Sequence, residues 1–385
     1  MSGTDRRTFL RTAGLAGLAS SVAPELFAQT SGGFTVEEAS STPTTKPKYS
    51  IKFAVIGLDH AHIYSMTAAV QRGGGQLVAV YASDAQQVAE FRKKFGDVKL
   101  ARSEAEILDD KSIQLVAGAP IPDLRAPLGI RVMRAGKDYL SDKPAITSLE
   151  QLADVRRAVK ETGRKFAIMY SERLEVRAAV HAGDLIKQGA IGRVIQTVNL
   201  APHQINEPTR PAWFFEKARY GGILTDIGSH QADQFLFYTN STKAQVVSSQ
   251  TGNLAHPQHP QFEDFGDMVM AGNGGTGYVR VDWFTPNGLG TWGDGRLFIV
   301  GTEGYIELRK YINVASDLKG GNHLYIVDQK QARYIDCKNV ELPFGPQFVE
   351  DIVKRTHISQ DQAQALLAAE LVITAQKNAT RPVIS

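Results

Sequence analysis

The sequence has little cysteine and little excess charge. It contains a single cysteine, Cys337, in 385 residues. One thiol excludes an intrachain disulfide and any metal site built from several thiolates. The formal net charge is only +3, from 43 Lys and Arg against 40 Asp and Glu. A nearly neutral body lacks the basic surface that binds nucleic acid, so we expect a small-molecule ligand and no nucleic-acid partner.

The N-terminal residues predict export. The pair Arg6-Arg7 precedes a weakly apolar run at 12–23, a pattern typical of a twin-arginine signal. This run is too short for a permanent membrane span. We therefore predict a signal peptide at 1–28, a flexible linker at 29–50 rich in Ser, Thr, Pro and Lys, and a periplasmic or otherwise exported location. A retained amphipathic anchor is the alternative.

Short apolar runs alternate with helical patterns between residues 51 and 170. The runs are predicted as strands and the segments between them as helices: strands 52–56, 76–81, 113–118, 138–141 and 165–170; helices 61–72, 85–95, 128–135 and 149–162. This alternation predicts an α/β fold with a parallel sheet and right-handed crossovers. In such a sheet, ligands bind beyond the carboxyl ends of the strands.

The first strand-to-helix turn departs from the usual dinucleotide pattern. Where a dinucleotide fold has G-x-G-x-x-G, this chain has Gly57, Leu58, Asp59, His60, Ala61 and His62. We predict that the first four of these residues contact the nucleotide, that Asp59 caps the helix and that His62 packs. A divalent-metal site at Asp59, His60 and His62 is the alternative, and we predict no metal.

The second strand ends without the acid that usually binds the adenosine ribose. Ala82 occupies the expected position and Ser83 follows it. No nearby arginine points to NADP either. We expect Ala82 and Ser83 to contact the cofactor, with the choice between NAD and NADP left open, and Asp84 is a candidate helix N-cap.

An acid and a histidine four residues apart form the strongest local catalytic pattern. The stretch 221–230 begins with two glycines and contains Asp226 and His230. Helical spacing of i and i+4 puts both side chains on one face, where a carboxylate can orient an imidazole that acts as a base. The alternative is a first-turn acid with an ordinary surface histidine.

Three motifs in order resemble one enzyme family. Asp142-Lys143-Pro144 after the fourth predicted strand, the stretch 221–230, and 301–307 together resemble the glucose–fructose oxidoreductase / inositol dehydrogenase family, Gfo/Idh/MocA. The resemblance implies a Rossmann domain at 51–170. It also implies an α/β domain at 171–385 with a large, mostly antiparallel open sheet, whose last segment packs back on the first domain. A homo-oligomer, dimer or tetramer, is the implied assembly.

The resemblance also implies roles for individual residues. Lys143 matches the lysine that touches the substrate hydroxyl and the nicotinamide region, and His230 matches the proton acceptor, with Asp226 as the acid. Asp142 and Pro120 lie in positions that contact the cofactor. The family turn T-P-N-x-x-H loses its asparagine and histidine here, since residues 123–125 are Asp, Leu and Arg.

Four further residues are weaker candidates for substrate contacts: Arg173, His203, Arg210 and Trp213. Aromatic faces beside arginine suit a sugar ring, although Trp213 could equally pack in the core. The leading hypothesis is an NAD(P)-dependent oxidoreductase acting on a sugar, polyol or sugar derivative. The alternatives are glycoside cleavage through transient oxidation, and a non-catalytic sugar-binding relative.

Overall fold

A computed structural model describes residues 34–39, 47–316 and 320–382. The predicted signal peptide at 1–28 lies outside these residues and stays a prediction. Part of the predicted linker is wrong, because strand β1 (Phe34–Glu38) runs parallel to the final strand of the larger sheet. Its pairing partner lies roughly 300 positions away, and the alternation of Phe34 and Val36 with polar residues is too short to indicate a strand by itself.

The N-terminal domain is a six-stranded parallel sheet with the order β4-β3-β2-β5-β6-β7. Its strands are β2 (Ile51–Ile56), β3 (Gly75–Tyr81), β4 (Lys99–Leu100), β5 (Leu115–Gly118), β6 (Asp138–Ser141) and β7 (Phe166–Ile168). Strands β2, β5, β6 and β7 are mostly buried and β3 is mostly half-buried, as expected when helices cover both faces of a parallel sheet. The predicted Rossmann-type sheet is confirmed.

This domain has five helices, and four of them, all except α1, begin at recognisable signals. The five are α1 (His62–Arg72), α2 (Ala85–Phe95), α3 (Glu104–Asp109), α4 (Pro122–Arg134) and α5 (Leu149–Thr162). Asp84, Ser103 and Ser148 cap α2, α3 and α5 with their side-chain oxygens. The predicted start of α4 at 128 was late, since the helix begins at Pro122, a residue favoured in the first turn. The short elements β4 and α3 were not predicted.

The second domain is built on a nine-stranded sheet with the order β1-β15-β14-β13-β12-β8-β11-β10-β9. Its other strands are β8 (Val194–Pro202), β9 (Ala244–Gly252), β10 (Phe265–Gly272), β11 (Thr276–Asp282), β12 (Arg296–Gly301), β13 (Gly304–Arg309), β14 (His323–Asp328) and β15 (Ala332–Asp336). Most neighbours are antiparallel, while β8 with β11 and β1 with β15 are parallel. The predicted large, mostly antiparallel sheet is confirmed.

Seven α-helices and three short 3-10 turns accompany this sheet. The helices are α6 (Ser171–Leu174), α7 (Arg177–Lys187), α8 (Lys217–Tyr220), α9 (Ile223–Asp226), α10 (Gly228–Tyr238), α11 (Phe344–Lys354) and α12 (Gln362–Asn378), and the 3-10 turns are Glu207–Thr209, Ala212–Phe215 and Asn287–Leu289. In the part of the chain that the structure describes, no helix is both long and apolar enough to cross a membrane.

The C-terminal helices join the two domains. Helix α11 packs on α1 so closely that a Cβ on Gly73 would lie 2.1 Å from the carbonyl oxygen of Gly345. Helix α12 accepts a 3.1 Å hydrogen bond from the hydroxyl of Tyr170 to the carbonyl of Ala365. One continuous apolar core therefore runs from the parallel sheet into α10 and α12, and it fixes the cleft between the domains.

Candidate active site

A cavity of about 390 Å³ lies between the carboxyl edge of the parallel sheet and the larger sheet. The turn after β2 and the segment after β6 line one side, helices α9 and α10 line the second, and aromatic residues of the second domain line the third. Parallel strands bring their carboxyl ends to one edge, so segments far apart in sequence meet here. The cavity is therefore the candidate active site.

Lys143 and Asp226 form an ion pair in this cavity. The Lys143 Nζ lies 3.0 Å from Asp226 Oδ1, and the two side chains are only 7% and 14% exposed. Burial would raise the pKa of Asp226, but the adjacent ammonium of Lys143 outweighs it and lowers the pKa below its usual value. The carboxylate is thus ionised at neutral pH and fixes the lysine at the cleft.

His230 lines the same cavity on the next turn of helix. Burial lowers the pKa of His230 well below its usual value, and the ammonium groups of Lys143 and Lys310 add to this effect. The ring is therefore neutral at pH 7. Its Nδ1 is buried and has no hydrogen-bond partner among the described residues, so Nε2 is the nitrogen available to a ligand in the cleft.

The expected orientation of His230 by Asp226 is wrong. The carboxylate of Asp226 accepts a hydrogen bond from Lys143 instead. Between α9 and α10 the backbone also changes from α-helical to 3-10 hydrogen bonding, because the His230 N–H donates to the carbonyl of Ile227, three residues earlier. The i and i+4 spacing assumed an uninterrupted α-helix, whereas the two residues are in successive short helices. Both side chains nevertheless reach one cavity.

Asp142, next to Lys143 in the chain, is buried and has several hydrogen-bonding and charged partners. Its Oδ2 lies 2.7 Å from His60 Nδ1 and 3.1 Å from the guanidinium of Arg125, and its Oδ1 lies 3.0 Å from His62 Nδ1. The backbone N–H of Lys143 donates to Oδ1 at 2.7 Å. Burial would raise the pKa of Asp142, but Arg125 and the two histidines hold it well below its usual value.

The turn at 57–62 retains one requirement of a nucleotide cradle. Gly57 has φ +84°, and a Cβ there would lie 2.8 Å from Pro120 Cβ, so only glycine fits. The Leu58 side chain is in the core. The expected cap at Asp59 is wrong, since Ala61 occupies the N-cap of α1 and no side chain caps it. The N–H groups of Ile63 and Tyr64 in the first turn already donate to the carbonyls of His60 and Ala61 at 3.2 Å, so these two are not free for a phosphate.

The end of β3 lies beside this turn. The Gly57 N–H donates to the carbonyl of Tyr81 at 2.9 Å, which brings the half-buried Ala82 and the exposed Ser83 to the same edge. Asp84 caps α2 by accepting bonds from the N–H groups of Gln86 and Gln87. Because that carboxylate is used by the helix, it does not replace the missing ribose-binding acid.

Aromatic side chains form the wall opposite Lys143. The rings of His203 and Trp292 lie 4.6 Å apart, and those of Trp292 and Tyr311 lie 4.2 Å apart. The Arg210 guanidinium lies 4.4 Å from the centre of the Phe214 ring. Of the four expected substrate contacts, three line the cavity, namely His203, Arg210 and Trp213. Sequence reasoning missed Trp292, Trp283 and Tyr311, and the only signal was a tryptophan inside a polar turn at 292–296.

Arg173 does not line the cavity, so its expected substrate contact is wrong. Its guanidinium pairs with buried Asp233 at 2.5 Å and packs on the ring of Phe237. The preceding residue, Glu172, lines the cavity instead and forms a buried ion pair with Lys310 at 2.6 Å. A four-residue helix turns each side chain about 100° from the last, so neighbours in sequence face different partners.

Comparison with known proteins identifies the chain. Residues 51–170 match a family model described as an oxidoreductase family with an NAD-binding Rossmann fold, and residues 180–307 match the GFO/IDH/MocA C-terminal domain. The chain belongs to the Gfo/Idh/MocA family. Its first domain is accordingly a Rossmann domain of the NAD-binding type.

Relatives agree with this assignment. A crystal structure from Erwinia carotovora atroseptica SCRI1043, described as a candidate oxidoreductase, is 47% identical over 86% of this chain and 99% of that chain, with a TM-score of 0.83. A 1,5-anhydro-D-fructose reductase of Ensifer adhaerens is 28% identical over 53% of this chain and 60% of its own length. Levoglucosan dehydrogenase in complex with NADH shares the fold, with 18% identity over 86% of this chain and 98% of that chain and a TM-score of 0.71.

The charge state of His203 makes stability depend on pH. Burial lowers the pKa of His203 to about 4, although Glu172 opposes the shift. The unfolded chain therefore binds a proton between pH 6.5 and 4 that the folded protein does not, so stability is lost as pH falls through this window. We expect His203→Gln to flatten the dependence of the unfolding free energy on pH near pH 5 by up to about 1.4 kcal/mol per pH unit.

Urea unfolding of both proteins from pH 4.5 to 7 measures this effect. The matched control is Gln204→Asn, a change to a neighbouring residue that does not titrate. Parallel curves for wild type and His203→Gln would show that His203 does not carry the effect.

Proposed function

We propose that this protein is an NAD(P)-dependent oxidoreductase that moves a hydride between a nicotinamide and a carbinol carbon of a sugar, polyol or sugar derivative. The observation that carries the proposal is the convergence of the Lys143–Asp226 pair and neutral His230 on one cleft. This cleft lies at the carboxyl edge of a Rossmann sheet, where a dinucleotide binds in such folds.

The residues of the cleft suit a nicotinamide dinucleotide. Gly57 makes the tight turn that the approach of Pro120 requires, and this turn leads into the N-terminus of α1, where the helix dipole favours a pyrophosphate. Asp142 is next to Lys143 and accepts its backbone N–H at 2.7 Å, and these two residues would help to hold the dinucleotide at this edge of the sheet. When bound, the nicotinamide supplies the hydride acceptor or donor. Ala82 and Ser83 provide neither an acid for a ribose hydroxyl nor an arginine for a phosphate, so both NAD and NADP are candidates.

Proton transfer falls to His230 and charge stabilisation to Lys143. Oxidation of a carbinol requires loss of the hydroxyl proton, and a neutral imidazole can accept it at Nε2. The ammonium of Lys143 stabilises the oxygen as negative charge develops on it. Asp226 holds that ammonium at 3.0 Å, so little reorganisation is needed during the reaction.

The wall of the cavity favours a ring-shaped polyhydroxylated substrate. Trp292, Trp283 and Tyr311 offer flat apolar faces to the C–H faces of a sugar, while Glu172 and Gln204 supply polar groups at its edges. A cavity of about 390 Å³ is within the range that small-molecule sites occupy.

Cofactor binding and product analysis test the proposal. Purified protein is titrated with NADH and with NADPH while fluorescence and Tm are recorded, and then incubated with a panel of sugars and polyols that includes 1,5-anhydro-D-fructose. We expect one dinucleotide to raise Tm and at least one substrate to change the cofactor absorbance at 340 nm. No binding of either dinucleotide would overturn the proposal. Sugar cleavage with unchanged cofactor would instead support the glycoside-cleavage alternative.

We further propose that the protein forms a homo-oligomer through the open face of the nine-stranded sheet. Half-buried apolar residues such as Val198, Leu200 and Phe298 lie on central strands of that sheet, and such a face is typically covered in a stable protein. Light scattering at several concentrations measures the mass, and a monomer at all of them contradicts this proposal.

A further inference from the structure

Two imidazoles converge on one buried carboxylate at the edge of the cleft. His60 Nδ1 lies 2.7 Å from Asp142 Oδ2, and His62 Nδ1 lies 3.0 Å from Asp142 Oδ1. Within residues 34–39, 47–316 and 320–382, these three form the one group of three or more His, Cys, Asp and Glu whose ligand atoms all lie within 4.8 Å of one another. The residues come from two strand ends that are 80 positions apart in sequence.

The chemistry of this group matches a transition-metal ligand set. Two imidazole nitrogens and one carboxylate are the ligands that first-row divalent ions such as Zn²⁺ and Co²⁺ accept readily.

The ligand atoms lie within reach of one ion. Two atoms bound at about 2.1 Å to a tetrahedral Zn²⁺ lie roughly 3.4 Å apart, and one ligand atom from each of the three residues lies within 4.8 Å of the other two. The 2.7 and 3.0 Å separations are hydrogen bonds to the two different oxygens of Asp142, which an ion would replace. For an ion to replace the two hydrogen bonds, each neutral ring moves its proton from Nδ1 to Nε2 and loses none, so charge and protons balance.

The neighbouring residues hold the carboxylate ligand in place, and the two histidines are accessible from the cavity. Arg125 is 1% exposed and lies 3.1 Å from Asp142 Oδ2, so the carboxylate is held by a neighbour that is not a ligand. The side chains of His60 and His62 are 25% and 36% exposed and line the cavity. The cationic Lys143 nearby is already paired with Asp226, which reduces its repulsion of a metal ion.

We propose that His60, His62 and Asp142 form a binding site for one divalent transition-metal ion, with its open coordination positions facing the cleft. The site differs from the metal alternative of the sequence, which used Asp59. The carboxylate of Asp59 is not in this group, whereas Asp142 comes from the end of another strand. The proposal goes beyond the proposed oxidoreductase function and does not depend on it.

Metal binding to the full chain tests the site directly. Protein is treated with chelator, dialysed, and titrated with ZnCl₂ or CoCl₂, with MgCl₂ as the ion that these ligands should not hold. We expect one Zn²⁺ per chain by mass spectrometry of the elements and a visible Co²⁺ absorption spectrum that titrates with the same stoichiometry. At a metal concentration of 100 times Kd, Tm should rise by roughly 2–6 °C.

Variants decide whether the bound ion uses these residues. His60→Ala and His62→Ala should each weaken Zn²⁺ binding at least tenfold, and Asp142→Asn should do the same. His181→Ala is the matched control, because that half-buried histidine is on α7 and does not line the cavity. Circular dichroism of each variant before titration identifies any that fail to fold, and the wild-type Co²⁺ spectrum provides a readout independent of the variants.

Two outcomes overturn the proposal. One is the absence of stoichiometric Zn²⁺ and Co²⁺ binding to wild type. The other is binding that His60→Ala and His62→Ala leave unchanged, which would mean that the ion is held elsewhere. NADH titration of the same metal-free samples reports separately on the oxidoreductase proposal. A protein that binds NADH but neither Zn²⁺ nor Co²⁺ would overturn only the metal site. A protein that binds Zn²⁺ but no dinucleotide would overturn only the redox function.

Discussion

Replacing Lys143 by Met is expected to lower kcat by about 10²–10⁴ for the best substrate of the panel, with little change in the Kd for NADH. In the proposed mechanism Lys143 is the cation that faces the reacting oxygen, and its Nζ lies 3.0 Å from Asp226 Oδ1. Loss of the ammonium removes stabilisation of negative charge that develops only during the reaction, so kcat should fall more than KM changes. Steady-state rates and NADH fluorescence titrations measure the two quantities.

Two further variants show whether the pair acts as a unit. Asp226→Asn should lower kcat as well, and the double variant should be little worse than Lys143→Met alone, because each change disables the same group. Lys187→Met is the matched control, since that lysine is 70% exposed on α7. A kcat for Lys143→Met within threefold of wild type would remove Lys143 from the catalytic machinery.

Replacing Arg125 by Met is expected to destabilise the protein by about 3–5 kcal/mol. Arg125 is buried and lies 3.1 Å from Asp142. It also donates to the carbonyls of Pro120 at 2.7 Å and Pro144 at 3.2 Å, and to that of Lys143. The variant leaves a buried carboxylate without its permanent cation and leaves carbonyls without a donor. Urea unfolding at pH 7 measures the loss.

The matched control is on the same helix. Arg131 of α4 pairs with Glu104 at 2.6 Å, but its side chain is 52% exposed. Exposed pairs contribute little, so Arg131→Met should cost about 1 kcal/mol or less. Adding Asp142→Asn to Arg125→Met should recover part of the loss, because it removes the unpaired charge. Equal losses for the two arginine variants would show that the buried ion pair is not what stabilises this edge.

Local pattern was sufficient for much of the fold. Strand β2 is a short, mostly apolar and buried run, and the predicted bounds of β2 and β6 agree with the structure to within one residue. Asp84 was a candidate cap from its position, and it caps α2. The edge strand β1 could not be predicted, since five residues rich in Thr and Glu become a strand only by pairing with β15.

In the candidate site, too, the motifs identified the residues but did not predict their contacts. Lys143, Asp226 and His230 were identified from motifs, and all three line one cavity. Their contacts were not, because the helix changes its hydrogen bonding at Ile227 and Asp226 pairs with Lys143 instead of His230. Arg173 was expected at the substrate but pairs with Asp233, while Glu172, for which nothing was predicted, lines the cavity, since one short helix turns the two side chains towards different partners.

The sequence by itself determined the alternating strands and helices, the family, and the presence of Lys143, Asp226 and His230 in the cleft, because these depend on periodicity and short motifs. The tertiary structure alone decided the Lys143–Asp226 pair, the aromatic wall around Trp292, and the meeting of His60 and His62 on Asp142. The Lys143–Asp226 contact joins residues 83 positions apart, and the His62–Asp142 contact joins residues 80 positions apart. Such pairings follow from which strand ends share a sheet edge, and spacing along the chain does not encode the distance between them.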